Sequence, residues 1–257
     1  MRVNRPRVQD RGAGQKTPAD TYTCPPGNDL ALAHGQVRPV GRPPGRVARP
    51  SREEAMDAIE TLMNEHRVIE RVLDALVGFA EEARRKGTGD KAELGRFVSF
   101  IREFADRCHH GKEEDILFAA MVAHGFPRNG GPVAVMLHEH AQGRALVGAL
   151  AAKAAQDGPW TPADLQTISD DAAAYANLLH AHIHKEDAIL YPMAEQRLPP
   201  EAMERVAEDC ERFEREQTGA GVHERYHALA DELVLRHAAT SHPAADTTPP
   251  HRHGCCG

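Results

Sequence analysis

Aromatic residues are scarce in this 257-residue chain: Phe, Tyr and Trp make up 5%, with a single Trp. That composition favours helix packed on helix over a β-sandwich, whose strands draw on aromatic and β-branched side chains. No apolar run approaches the roughly 18–20 residues a membrane helix needs, so no membrane association is expected. No apolar stretch follows Met1-Arg2, so no secretory signal is expected either. The five cysteines, Cys24, Cys108, Cys210, Cys255 and Cys256, have the spacing of neither a disulfide framework nor a zinc finger. They fit a reducing cytoplasm. Basic charge is not in excess, since the formal net charge is −7, and a nucleic-acid partner gains no support. What the chain has in abundance is histidine, 16 residues. Imidazole is a common ligand for iron, zinc and copper, so the placing of these residues matters most.

Composition divides the chain. Residues 1–50, with Arg38-Pro39, Arg42-Pro43-Pro44 and Arg49-Pro50, read as a disordered basic arm. Residues 239–257, ending His251-Arg252-His253-Gly254-Cys255-Cys256, read as a disordered tail. Residues 51–198 carry four amphipathic helical patterns, and residues 199–238 read as a helical extension. The first helix opens at Ser51 with Glu54 as a capping box. Its apolar stripe runs Ile59, Leu62, Met63, His66, Ile69, Leu73, Leu76, Val77, Ala80, and Gly87 and Gly89 end it. The second opens near Asp90 with the stripe Leu94, Phe97, Ile101, Ala105, His109, Glu113, Ile116, Ala120. The third starts at Pro132 with Val133, Met136, Leu137, His140, Val147, Ala151. The fourth starts at Thr161-Pro162 with Ile168, Ala172, Tyr175, Leu179, His182, Glu186, Ile189, Met193, and Pro192 is expected to bend or end it. Short connections between these helices predict an all-α, up-down-up-down four-helix bundle, followed by two further helices over Glu201–Gln217 and Val222–His237.

An internal repeat is the most informative feature. His109-His110-Gly111-Lys112-Glu113-Glu114-Asp115-Ile116-Leu117-Phe118 aligns with His182-Ile183-His184-Lys185-Glu186-Asp187-Ala188-Ile189-Leu190-Tyr191. Glu65-His66 likewise aligns with Glu139-His140. Each helical hairpin therefore supplies one lone His and one His-x-x-x-Glu, whose members share a helix face. Two such hairpins about a pseudo-twofold axis converge His66, His109, Glu113, His140, His182 and Glu186 on the bundle centre. Carboxylates buried there, with no matching Lys or Arg on those faces, require cations. Imidazole with carboxylate suits iron, manganese or zinc. If both carboxylates bridge a pair of metals, each metal has two nitrogen and two oxygen ligands. One further bridging oxygen would leave a position for a small diatomic or a peroxide.

These segments, within about Ala55 to Leu198, resemble the hemerythrin-like (HHE cation-binding) family. The resemblance implies a non-haem site of two iron ions held by His66, His109, Glu113, His140, His182 and Glu186, with Glu113 and Glu186 bridging. Oxygen-carrying members have an extra His one turn after the third helix's ligand, where this chain has Arg144, so it is similar to the four-His, two-Glu variant. That variant is linked to oxygen, peroxide and nitric oxide chemistry and to iron–sulfur cluster repair. Two classes of function follow: a redox-active di-iron protein, or a non-catalytic module for metal storage, delivery or sensing. The sequence does not decide whether the chain is an enzyme.

Other residues receive plainer readings. His110, His138, His180 and His184 are expected to be solvated or to orient neighbours. Tyr175 is expected in the core, with a hydrogen bond to a bound oxygen species as its functional alternative, and Cys108 is expected as an inert buried thiol. His223-Glu224-Arg225-Tyr226-His227 matches the H-E-x-x-H zinc-protease pattern. It lacks a convincing third ligand and a substrate cleft, so a structural closing segment is expected.

Overall fold

The computed structural model describes residues 58–218 and 221–237. The Ser51–Glu54 capping box, the basic arm and the tail lie outside the described residues. Among those described, the fold is all-α, with six helices and no strand. Helix α1 is Ala58–Lys86, α2 spans 91–123, α3 is Gly131–Ala155 and α4 spans 162–197. Helix α5 spans 200–218 and α6 is Val222–His237.

The helix ends follow local chemistry. Gly87, at φ +71°, ends α1 in the left-handed region that favours glycine. The Asp90 carboxylate caps α2 by accepting from the amides of Ala92 and Glu93 at 2.8 and 3.3 Å. Thr161 and Asp164 form a reciprocal capping box at the start of α4. The short connections make successive helices antiparallel, and α1 packs on α2 and α4 while α3 packs on the same two. The result is a closed up-down-up-down four-helix bundle.

Two apolar clusters fill the bundle. One contains Ile69, Leu73, Leu76, Phe97, Leu150 and Ile168, and takes in Tyr226, Ala230 and Leu233 of α6. The other contains Leu62, Leu117, Phe118, Met136, Leu190 and Tyr191, and takes in Ala202, Val206 and Cys210 of α5. The layer between them is polar, and each of the two last helices packs against one of the clusters from outside the four-helix bundle.

The regular 3.6-residue spacing does not hold throughout. Helix α2 widens to π geometry over Ile101–His110 and again over Glu113–Leu117, and α4 does so over Glu186–Leu190. A π turn delays the helical register, and such turns gather at functional sites. The predicted stripe therefore slips after each Glu. Leu190 is buried where Ile189 was expected, and Ile189 is 51% exposed. Leu117 likewise replaces Ile116 as the fully buried residue. Pro192 does not end α4. The π turn just before it carries the Tyr191 amide to the Glu186 carbonyl, and the helix continues to Arg197.

Close packing restricts two glycines. A Cβ on Gly111 would lie 2.7 Å from the Phe213 ring of α5. A Cβ on Gly89 would lie 2.7 Å from Trp160 and 2.8 Å from the Ala83 methyl. Trp160 is anchored, since its indole N–H donates to the Lys153 carbonyl at 3.0 Å. Gly89→Ala is therefore expected to destabilise the bundle by about 1–3 kcal/mol in urea unfolding. An unchanged midpoint would show that the Trp160 seat yields freely.

Candidate metal centre

The polar layer draws on all four bundle helices. Helix α1 brings His66, α2 brings His109 and Glu113, α3 brings His140, and α4 brings His182 and Glu186. Each is at most 1% exposed. Their functional atoms face one another. His66 Nε2 lies 3.3 Å from Glu186 Oε2, and His182 Nε2 lies 3.2 Å from Glu186 Oε1. Glu113 Oε2 lies 3.4 Å from His140 Nε2 and 3.7 Å from His109 Nε2.

The outward nitrogen of each imidazole is held by a carboxylate. His66 Nδ1 meets Asp187 at 2.7 Å, His109 Nδ1 meets Glu65 at 2.9 Å, His140 Nδ1 meets Glu114 at 2.7 Å, and His182 Nδ1 meets Glu139 at 2.9 Å. The pattern is cyclic. Helix α1 orients the ligand of α2, α2 that of α3, α3 that of α4, and α4 that of α1. An ionised carboxylate only accepts, so each Nδ1 donates and each Nε2 presents a lone pair inward. Lys112 and Lys185 complete the arrangement by donating to Glu65 and Glu139.

The inner atoms are left poorly satisfied. Glu113 Oε2 and both oxygens of Glu186 are buried with no hydrogen-bond partner. His140 Nε2 and His182 Nε2 stand 3.0 Å apart. Two lone pairs at that separation require a proton or a metal ion between them. Two sets of donor atoms each lie close enough to hold an ion: His66, His109, Glu113 and Glu186, and His110, Glu113, His140 and His182. Glu113 belongs to both. The donor chemistry and the orphaned oxygens fit a pair of cations.

Without metal, protons take their place. Burial opposes charge on His66, yet Asp187, Glu186 and Glu113 overcome it and push its pKa up to about 10. His140 is likewise pushed up to about 9 by Glu113, Glu114 and Glu186, against burial. Burial works against ionised Glu113 too, but the facing imidazoles hold its pKa well below the carboxylate range.

Among the other residues, some depart from the sequence reading and others follow it. Lys112 was not expected near the centre, yet it is fully buried, and its ammonium serves Glu65 and Glu214 rather than Glu113. His110 is buried, not solvated. Burial and the neighbouring charge on His140 lower its pKa to about 3. Tyr191 donates to Glu113 Oε1 at 2.6 Å, although its partner in the repeat is Phe118. Arg144 does not enter the centre. Its guanidinium bonds Asp106 at 2.8 Å and Glu114 at 2.7 Å. His138 and His184 are exposed, and His180 pairs with Asp74. Tyr175 is buried and Cys108 is a buried thiol. His223 lies 3.4 Å from Glu65, while Glu224 is exposed. Glu65, Glu214 and His223 form a third acidic group, but Lys112 already supplies its cation.

The hemerythrin HHE cation-binding domain model matches residues 57–194. This chain belongs to that family. Uncharacterized proteins of Mycobacterium bovis and of two Mycobacterium tuberculosis strains are 27% identical to it over 146 residues. That match covers 56% of this chain and 55% of theirs, so the chain spans about half the length of these relatives. No solved structure gives a significant match. No helix among the described residues is long and apolar enough to cross a membrane.

The raised histidine pKa values make the stability of the metal-free hemerythrin domain depend on pH. The protonated His66 and His140 contribute fully below the ordinary value of 6.5, and the contribution is lost as pH rises through about 9 and about 10. Depressed Glu113 acts in the other direction. Its contribution is present above 4.5 and is lost as pH falls through its lowered folded value. Urea unfolding from neutral to alkaline pH is expected to show falling stability for metal-free protein. Metal-loaded protein should lack that alkaline decline, because metal has replaced the protons. A flat metal-free profile would contradict the charged-histidine assignment.

Proposed function

We propose that this hemerythrin-family protein holds two iron ions with His66, His109, Glu113, His140, His182 and Glu186. Glu113 and Glu186 are read as bridging the two ions. On this reading the site reacts with or senses dioxygen, peroxide or nitric oxide. The observation that carries it is the pair of donor sets sharing Glu113, with inner carboxylate oxygens that no protein group satisfies. When bound, the two irons supply one-electron redox chemistry and Lewis-acid sites for a small oxygen or nitrogen ligand.

The chain's own groups prepare that chemistry. Four carboxylates fix the imidazole tautomers and raise their basicity, which strengthens metal binding. The two apolar clusters keep bulk water from the layer between them. Tyr191 holds a phenol proton at Glu113 Oε1 and lies 3.3 Å from His66 Nε2. It is the hydroxyl placed to donate to a small molecule arriving on that side. A cavity of about 240 Å³, lined in part by Tyr175, Gly143 and Val147, reaches inward as far as His110 and suits a small ligand.

A storage or delivery role requires metal to exchange readily, and burial of every inner donor weighs against it. Spectra of anaerobically prepared ferrous protein, before and after oxygen, peroxide or nitric oxide, test the proposal. New near-ultraviolet and visible bands are expected with at least one of the three. Iron that is fully loaded yet spectrally inert to all three would sink the redox reading and favour storage.

A further inference from the structure

We propose that the cavity of about 240 Å³ between α2, α3 and α4 is a binding pocket for hydrogen peroxide, with the Tyr175 hydroxyl as its hydrogen-bond donor. The proposal rests on the reading above and chooses among its three small ligands.

The pocket belongs to one half of the repeat. On α3 it is bordered by Gly143 and Val147. The matching positions on α1 hold Ile69 and Leu73, which are larger and buried. On α2 Asp106 and His110 bring polar groups to the wall. Their counterparts on α4 are Leu179 and Ile183, again buried and apolar. The other half carries bulk where this half is open.

Tyr175 supplies a second, independent observation. It is 2% exposed and lines the cavity, yet its hydroxyl bonds to no protein group among the described residues. A buried phenol usually has a hydrogen-bond partner. Burial and the charge of Asp106 raise its pKa, so it keeps its proton and is a donor. The partner it lacks is an acceptor atom inside the cavity.

The remaining wall selects the ligand. Ile101, Gly143 and Val147 are apolar and disfavour an ion. Asp106, when ionised, only accepts hydrogen bonds. Hydrogen peroxide is neutral, can accept from Tyr175, and has hydrogens to donate to Asp106. Free dioxygen and nitric oxide accept weakly and have no hydrogen to donate.

The pocket has an entrance and a destination. Asp106 and Arg144, bonded to each other, line both the pocket and an open outer groove of about 720 Å³. The two spaces meet at this pair. On the other side, the His110 ring lies nearly parallel on His140 with centroids 3.8 Å apart. Peroxide in the pocket stands one ring away from a proposed iron ligand.

The test uses full-length protein loaded with redox-inert zinc and isotopically labelled at tyrosine Cζ and valine methyl carbons. It is titrated with hydrogen peroxide and followed by NMR. The Tyr175 and Val147 signals should shift and saturate together. Tyr191, whose hydroxyl already donates to Glu113, should not move. Tyr175→Phe should keep its urea midpoint, because the hydroxyl bonds nothing in the protein. In that variant Val147 should need about tenfold more peroxide to saturate, the effect of losing one hydrogen bond. Equal demand in both proteins would overturn the proposal, as would a lowered midpoint, which would reveal a protein partner for the hydroxyl. No saturable shift at either residue would mean that the cavity holds water only. Iron takes no part in this titration, so its failure strikes the pocket and leaves the reading above standing. Iron that ignores all three ligands in the spectra described above strikes that reading instead.

Discussion

Two buried carboxylates, Glu113 and Glu186, with too few hydrogen-bond donors between them govern this structure. Glu113 and Glu186 sit between two apolar clusters, and three of their four oxygens meet no protein donor. An isolated carboxylate in such surroundings costs several kcal/mol. The bundle tolerates the pair because every helix supplies an imidazole to the same layer. That layer is stable only with positive charge inside it, either protons on His66 and His140 or bound metal. Membership in the hemerythrin HHE cation-binding family and the donor chemistry both point to metal.

The surrounding shell follows from the same constraint. Each inward Nε2 needs its outward Nδ1 to donate, and each donation goes to a carboxylate on a neighbouring helix. The ring of four such bonds links α1 to α2, α3 and α4 in turn, so the site also ties the bundle together. Lys112 and Lys185 keep the outer carboxylates ionised. The two halves differ where α5 and α6 arrive. Glu214 and His223 approach Glu65 and Lys112, whereas among the described residues none of α5 or α6 forms an ion pair with Glu139. Tyr191 and His110 add to the asymmetry from within the repeat.

Much of the fold was legible because apolar residues recur at three and four, and because caps such as Asp90 and Thr161 are local signals. The six inner residues were legible because the repeat aligned them twice. The remainder depended on features that regular periodicity hides. The π turns moved burial from Ile116 and Ile189 to Leu117 and Leu190, and brought His110 inward beside His109. The orienting roles of Glu65, Glu139, Glu114 and Asp187 were present in the repeat as matched acidic residues. Their partners lie on other helices, which spacing along one helix does not reveal. Nothing along α2 signals that Lys112 is buried, because part of its cover, Glu214 of α5, arrives about a hundred positions later. Arg144 reads on its own as a missing histidine; in three dimensions it is the clamp on two carboxylates.

The most direct measurement is elemental analysis of natively purified protein beside the His109→Ala/His182→Ala double variant. The account predicts two iron ions per chain in the native protein and their loss from the variant, with stability falling as Glu113 and Glu186 lose their compensating charge. Full metal content in the double variant would contradict it.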